Sequence, residues 1–140
     1  MVVGLSHTGL TTKDMDKSIW FYTNIFDGKL ILNVEEPKGT PWIKLIRFRD
    51  GSMLELFYPR EQFPLSDKQG RNHIAFRVDD IESMREKLLK NNIEGITDII
   101  LARDGNKQMW CVDPNGYRVE IMEYQEGCPQ LGNGEVVTLY

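Results

Sequence analysis

The chain has 140 residues, of which 41% are hydrophobic, with a formal charge of -4 and a pI near 5.2. That length suits one ordinary core, since single domains commonly hold about 100 to 150 residues, and an acidic surface is the wrong sign for nucleic acid, whose phosphates require clustered Lys and Arg. The opening MVVGLSHTGL has neither a basic leader nor a long apolar core, no run approaches the ~20 apolar residues that span a bilayer, and two cysteines, Cys111 and Cys128, read as free thiols of an unexported, cytoplasmic protein.

In chain order, SHTGLTTKD (residues 6 to 14) opens with a histidine on a strand-like run. The following DMDKSIWFYTNIF spaces Met15, Ile19, Tyr22 and Phe26 as one helix face, with Asp14 as its N-cap and Gly28 at its end. Strands are expected over WIKLIRF and SMLELFY, parted by the turn Asp50-Gly51. The stretch REQFPLSDKQGR, with Pro64 and Gly70, reads as a linker. The order then repeats. NHIAFRVDD is a strand headed by His73, and DIESMREKLLKNN is a helix with Ile81, Met84 and Leu88 inward, Asp80 as N-cap and Gly95 beyond its end. QMWCVD and YRVEIMEY follow as strands around the turn Asp113-Pro114-Asn115-Gly116. The tail CPQLGNGEVVTLY begins rich in Pro and Gly and ends β-prone.

Register turns this echo into a duplication. Asp14 lies 7 positions after His7 and Asp80 lies 7 after His73, while Glu55 lies 4 after Gly51 and Glu120 lies 4 after Gly116. The two histidines are 66 positions apart and the two glutamates 65. The expected fold is therefore α+β, two modules of strand, helix and three strands. Module one covers about 4–60, the linker about 61–70, module two about 71–124 and the tail 125–140. Each half alone is too small to bury a good core, so the whole chain is taken as one domain.

Strand alternation places His73, Ala75 and Arg77 on one face and Ile74, Phe76 and Val78 on the other; His7 shares its face with Gly9 and Thr11. Small residues beside both histidines leave room for a bound object. Taken singly, a strand histidine is most simply hydrogen-bonded and an edge glutamate solvated. These are the chain's only two histidines, however, and both fall in register. Two imidazoles and two carboxylates among apolar neighbours point to a divalent metal held by His7, Glu55, His73 and Glu120, because an unpaired buried charge is costly. Nitrogen and oxygen donors without thiolate suit Ni, Co, Mn, Fe or Zn. Arg77, Arg118, Lys107 and Arg71 read first as solvated surface, with Arg77 the strongest anion-binding candidate. Trp20, Trp42 and Trp110 are expected in the core or at a subunit interface.

Over residues 4 to 124, the combination SHTGLTTKDMDKSIWFYTNIF, MLELFY, NHIAFRVDDIE and DPNGYRVEIME resembles the vicinal oxygen chelate superfamily of glyoxalases, bleomycin-resistance proteins and dioxygenases. The resemblance implies two βαβββ modules forming an open, cupped mixed sheet around a metal, and a homodimer acting on a small molecule. Within it, the ligand pattern of His or Gln, Glu, His, Glu that is typical of glyoxalase I maps onto His7, Glu55, His73 and Glu120. The implied reaction is a metal-dependent lyase or isomerase step that moves a proton through an enediolate, with Glu120 as the base and Glu55 as ligand and second base. Alternatives within the resemblance are an acyl-thioester epimerase, a metal-free drug-binding module, an extradiol dioxygenase or a fosfomycin-resistance enzyme. Arg77, Thr11 and Lys107 are the candidate substrate contacts. Thr11 and Pro59 stand where glyoxalase I typically carries the Arg and Asn that help hold glutathione.

Overall fold

A computed structural model of the chain describes residues 1, 5–37, 39–60 and 73–132. The linker at 61–70 and the β-prone end of the tail lie outside the described residues. The chain divides into two compact units, Met1–Gly70 and Arg71–Tyr140, and each carries one copy of the βαβββ order. Among the described residues, no helix is long and apolar enough to cross a membrane.

In the first unit, β1 (His7–Thr11) leads to α1 (Met15–Trp20), a π-helical turn (Phe21–Ile25), β2 (Lys29–Glu36), β3 (Thr40–Arg47) and β4 (Met53–Phe57). The sheet order is β1-β4-β3-β2, with β1 parallel to β4 and the other pairs antiparallel. The second unit repeats this with β5 (Ile74–Arg77), α2 (Ile81–Lys90), β6 (Ile100–Leu101), β7 (Lys107–Val112) and β8 (Arg118–Glu123), in the order β5-β8-β7-β6. The repetition extends to single bonds. On leaving β1 the Thr12 amide donates to the Phe57 carbonyl (2.9 Å), and on leaving β5 the Val78 amide donates to that of Met122 (2.8 Å).

Both helices start as the sequence predicts. Asp14, extended at φ -140°, accepts from the Lys17 amide, and Asp80, at φ -146°, accepts from that of Ser83. Each side chain thus satisfies an amide that has no partner inside its helix. At α2 the Glu123 carboxylate also accepts from the Ile81 amide at 2.8 Å, and this bond, ahead of the one from Gln125, holds Glu123 below the usual carboxylate range.

The helix ends depart from expectation. Asp27 (φ 55°) and Asn92 (φ 54°) are the left-handed residues that close them. The Asn92 amide donates to Leu89 and that of Ile93 to Leu88, the paired bonds of a Schellman ending. Gly28 is needed for space instead: a Cβ there would sit 2.5 Å from Ile46 Cγ2 and 2.7 Å from the Tyr22 carbonyl. The first helix also buries a shifted face. Thr23 and Asn24 hydrogen-bond the Ile19 and Trp20 carbonyls with their side chains, competing with the regular ladder. The backbone widens there into the π turn. Phe21, Tyr22 and Ile25 consequently fill the core while Ile19 and Phe26 are only half-buried. In α2 the inward face is Ile81, Met84 and Leu88, as predicted.

The tail's start docks onto the β6–β7 turn. Asn106, fully buried, accepts from the Gln125 amide at 2.9 Å and donates to Gln130 Oε1 (2.9 Å) and to Asp104 (3.0 Å). Asn106→Ala takes the acceptor from the half-buried Gln125 N–H and should cost about 1–3 kcal/mol; urea unfolding of variant and parent measures it.

Candidate metal centre

Parallel pairing fixes the same constellation in both units. Gly9 lies opposite Glu55 across β1 and β4, and Ala75 lies opposite Glu120 across β5 and β8. Each histidine is two residues before that small residue, hence on its face, and the carboxylate on the neighbouring strand reaches its ring. His7 Nε2 is 3.3 Å from Glu55 Oε2, and His73 Nε2 is 3.2 Å from Glu120 Oε2.

The donors fit a divalent cation. Ligand atoms about 2.1 Å from an ion are separated by roughly 3.0 Å at right angles and 3.4 Å at tetrahedral angles, and both pairs fall between these values. Ser6 Oγ lies 3.2 Å from His7 Nδ1, the kind of contact that fixes a ligand's tautomer. No group of three or more His, Cys, Asp and Glu side chains gathers in a cation-holding cluster among the described residues; the arrangement is two pairs, one in each unit. The thiols stay apart from it. Cys111 and Cys128 are free and buried, and burial, followed by the charge of Asp113, pushes the Cys111 thiol up to about 12.

The pairs differ in shelter. Glu120 has 11% of its side-chain surface exposed and Glu55 21%. Around His73 the sequence reading also missed an aromatic wall. Trp110 lies opposite Glu120 on β7 and stands edge-on to the His73 ring, 5.1 Å between centroids and 82° between planes. Arg118 lies over the same indole at 4.1 Å, and Arg77 lies over Tyr124 at 4.8 Å. Alternation along QMWCVD is the signal for Trp110, since it sets that residue opposite to Met109 and Cys111. None of the tryptophans is in the core: Trp20 is 44% exposed, and Trp42 and Trp110 are half-buried.

The remaining candidates separate. Arg77 is exposed on the His73 face of β5. Thr11 is buried at the end of β1. Lys107 lies on the face of β7 away from Trp110, its ammonium 3.7 Å from the Glu123 carboxylate that caps α2. Pro59 is exposed just beyond β4. A hollow of about 560 Å³ lies near it, lined by Glu36, Thr40, Pro41, Tyr58 and Arg60, and includes neither His7 nor Glu55.

Known proteins share this architecture. The chain is 28% identical over 135 residues to a lactoylglutathione lyase of Salmonella typhimurium, covering 92% of this chain and 98% of the relative. A lactoylglutathione lyase structure from Agrobacterium tumefaciens matches with TM-score 0.67 at 22% identity, over 87% of this chain and 94% of that one. A variant of the fosfomycin resistance protein FosX from Listeria monocytogenes, complexed with Mn(II) and 1S,2S-dihydroxypropylphosphonic acid, matches with TM-score 0.71 at 19% identity, over 90% of this chain and 96% of that one. With its family model matched over residues 4–121, the chain belongs to the glyoxalase/bleomycin resistance protein/dioxygenase superfamily.

Proposed function

We propose that this chain is a metal-dependent lyase or isomerase of the glyoxalase I kind, in which the His7–Glu55 and His73–Glu120 pairs supply the ligands of a divalent cation in a homodimer. The observation that carries this reading is the repeated His–Glu pair, closed to 3.3 and 3.2 Å at equivalent positions of the two units. A second carboxylate favours this over a two-His, one-Glu site, because a fourth ligand leaves fewer open positions for both dioxygen and a chelating substrate. The cation, when bound, stabilises negative charge developing on two adjacent substrate oxygens.

The protein's own part is proton transfer. Glu120 takes a proton from one substrate carbon and returns it to the neighbouring carbon, with Glu55 as ligand and second base. Thr11 and Pro59 replace the residues that glyoxalase I uses for glutathione, so the substrate is assigned only as a small carbonyl or thiol adduct. Purified, metal-loaded protein given methylglyoxal with several thiols should form thioester and should take up no oxygen with catechols. Catechol cleavage without thioester formation would overturn the reading.

A further inference from the structure

Arg118 is exposed, two residues before Glu120 and therefore on its face, about 7 Å along the strand. Among the described residues it lies over the indole of Trp110 and pairs with no carboxylate; Glu120, near as it is, pairs with His73. A guanidinium held over an aromatic ring by its charge still has N–H donors to offer, and these receive a carboxylate through two parallel bonds. Trp110 also braces His73, so one indole positions both the histidine and the arginine. The ordering cost of a long side chain is thereby largely met before any ligand arrives.

We propose that Arg118, presented by Trp110 beside the His73–Glu120 pair, is a specificity-determining residue that binds a carboxylate of the substrate, roughly two or three carbons from the reacting oxygens given the strand spacing. This rests on the reading that the His–Glu pairs hold a cation that engages those oxygens. Arg77, over the Tyr124 ring and opposite Met122, lies on the other side of Glu120 and is the rival position.

Two probes share a chelating head: acetohydroxamate, which ends in a methyl, and the monohydroxamate of succinic acid, which ends in a carboxylate. Calorimetry on the metal-loaded full chain should find the carboxylate probe bound about 10- to 100-fold more tightly, the range for charge-assisted hydrogen bonds. Arg118→Gln should remove that preference and Arg118→Lys should keep part of it, while acetohydroxamate, which offers nothing to Arg118, binds both forms alike. Equal binding of the two probes by the parent overturns the proposal, as does a preference that survives Arg118→Gln or is lost in Arg77→Gln instead. If acetohydroxamate binds no better with the cation than without it, the cation reading itself falls and the assignment of Arg118 falls with it.

Discussion

Glu120→Gln is expected to lower turnover by about 10²- to 10⁴-fold, the usual contribution of a general base, with a much smaller effect on substrate binding. An amide still offers an oxygen to the cation but cannot accept the substrate's proton at neutral pH. Glu120 is preferred to Glu55 because it is the more sheltered of the two carboxylates, at 11% against 21% side-chain exposure. A proton held away from water returns to the substrate instead of exchanging with solvent. Metal content has to be measured on the kinetic sample, since loss of the ion would imitate loss of the base. Glu55→Gln is the informative comparison. Should it abolish turnover while metal-loaded Glu120→Gln works normally, the roles exchange; equal partial losses would mean that both carboxylates move the proton, one on each face of the substrate.

What could be read from the sequence followed from period. A strand repeats every two residues, so NHIAFRVDD alone separates exposed His73, Ala75 and Arg77 from the inward Ile74, Phe76 and Val78. The helix DIESMREKLLKNN keeps a 3.6-residue period and buries the side chains its spacing names. Where the period breaks, legibility fails. The π turn at Phe21–Ile25 moves the first helix's inward face, and its cause lies in Thr23 and Asn24 hydroxyl and amide bonds that apolar spacing does not register. β2 is half-exposed with two register shifts and β6 is two exposed residues, so neither carries an alternating signature. The histidine and glutamate of each pair were legible because duplication marks them twice. Trp110 and Arg118 have no such echo, and a tryptophan between apolar neighbours reads as core until pairing opposite Glu120 turns it toward the site.

Stripping the cation with a chelator should abolish turnover and lower the thermal midpoint, and a stoichiometric divalent ion should restore both. A ligand present at 100 times its dissociation constant adds about 2.7 kcal/mol to the folded state, which for a chain of this size corresponds to a shift of roughly 10 °C. The ligands should weaken in a graded order. His73→Ala removes an imidazole donor and leaves the nearly buried Glu120 carboxylate without its partner, so it should lose both the ion and some stability of the stripped protein. His7→Gln keeps a side-chain oxygen donor where glyoxalase I accepts either residue, so it should retain more metal than His7→Ala. Elemental analysis and metal titration of the four proteins, together with their thermal midpoints, test this order. If the stripped parent regains no stoichiometric metal, or His73→Ala binds as well as the parent, the two pairs are ordinary histidine–carboxylate hydrogen bonds. Glu120 would then be a strand residue partnered by His73 instead of a base.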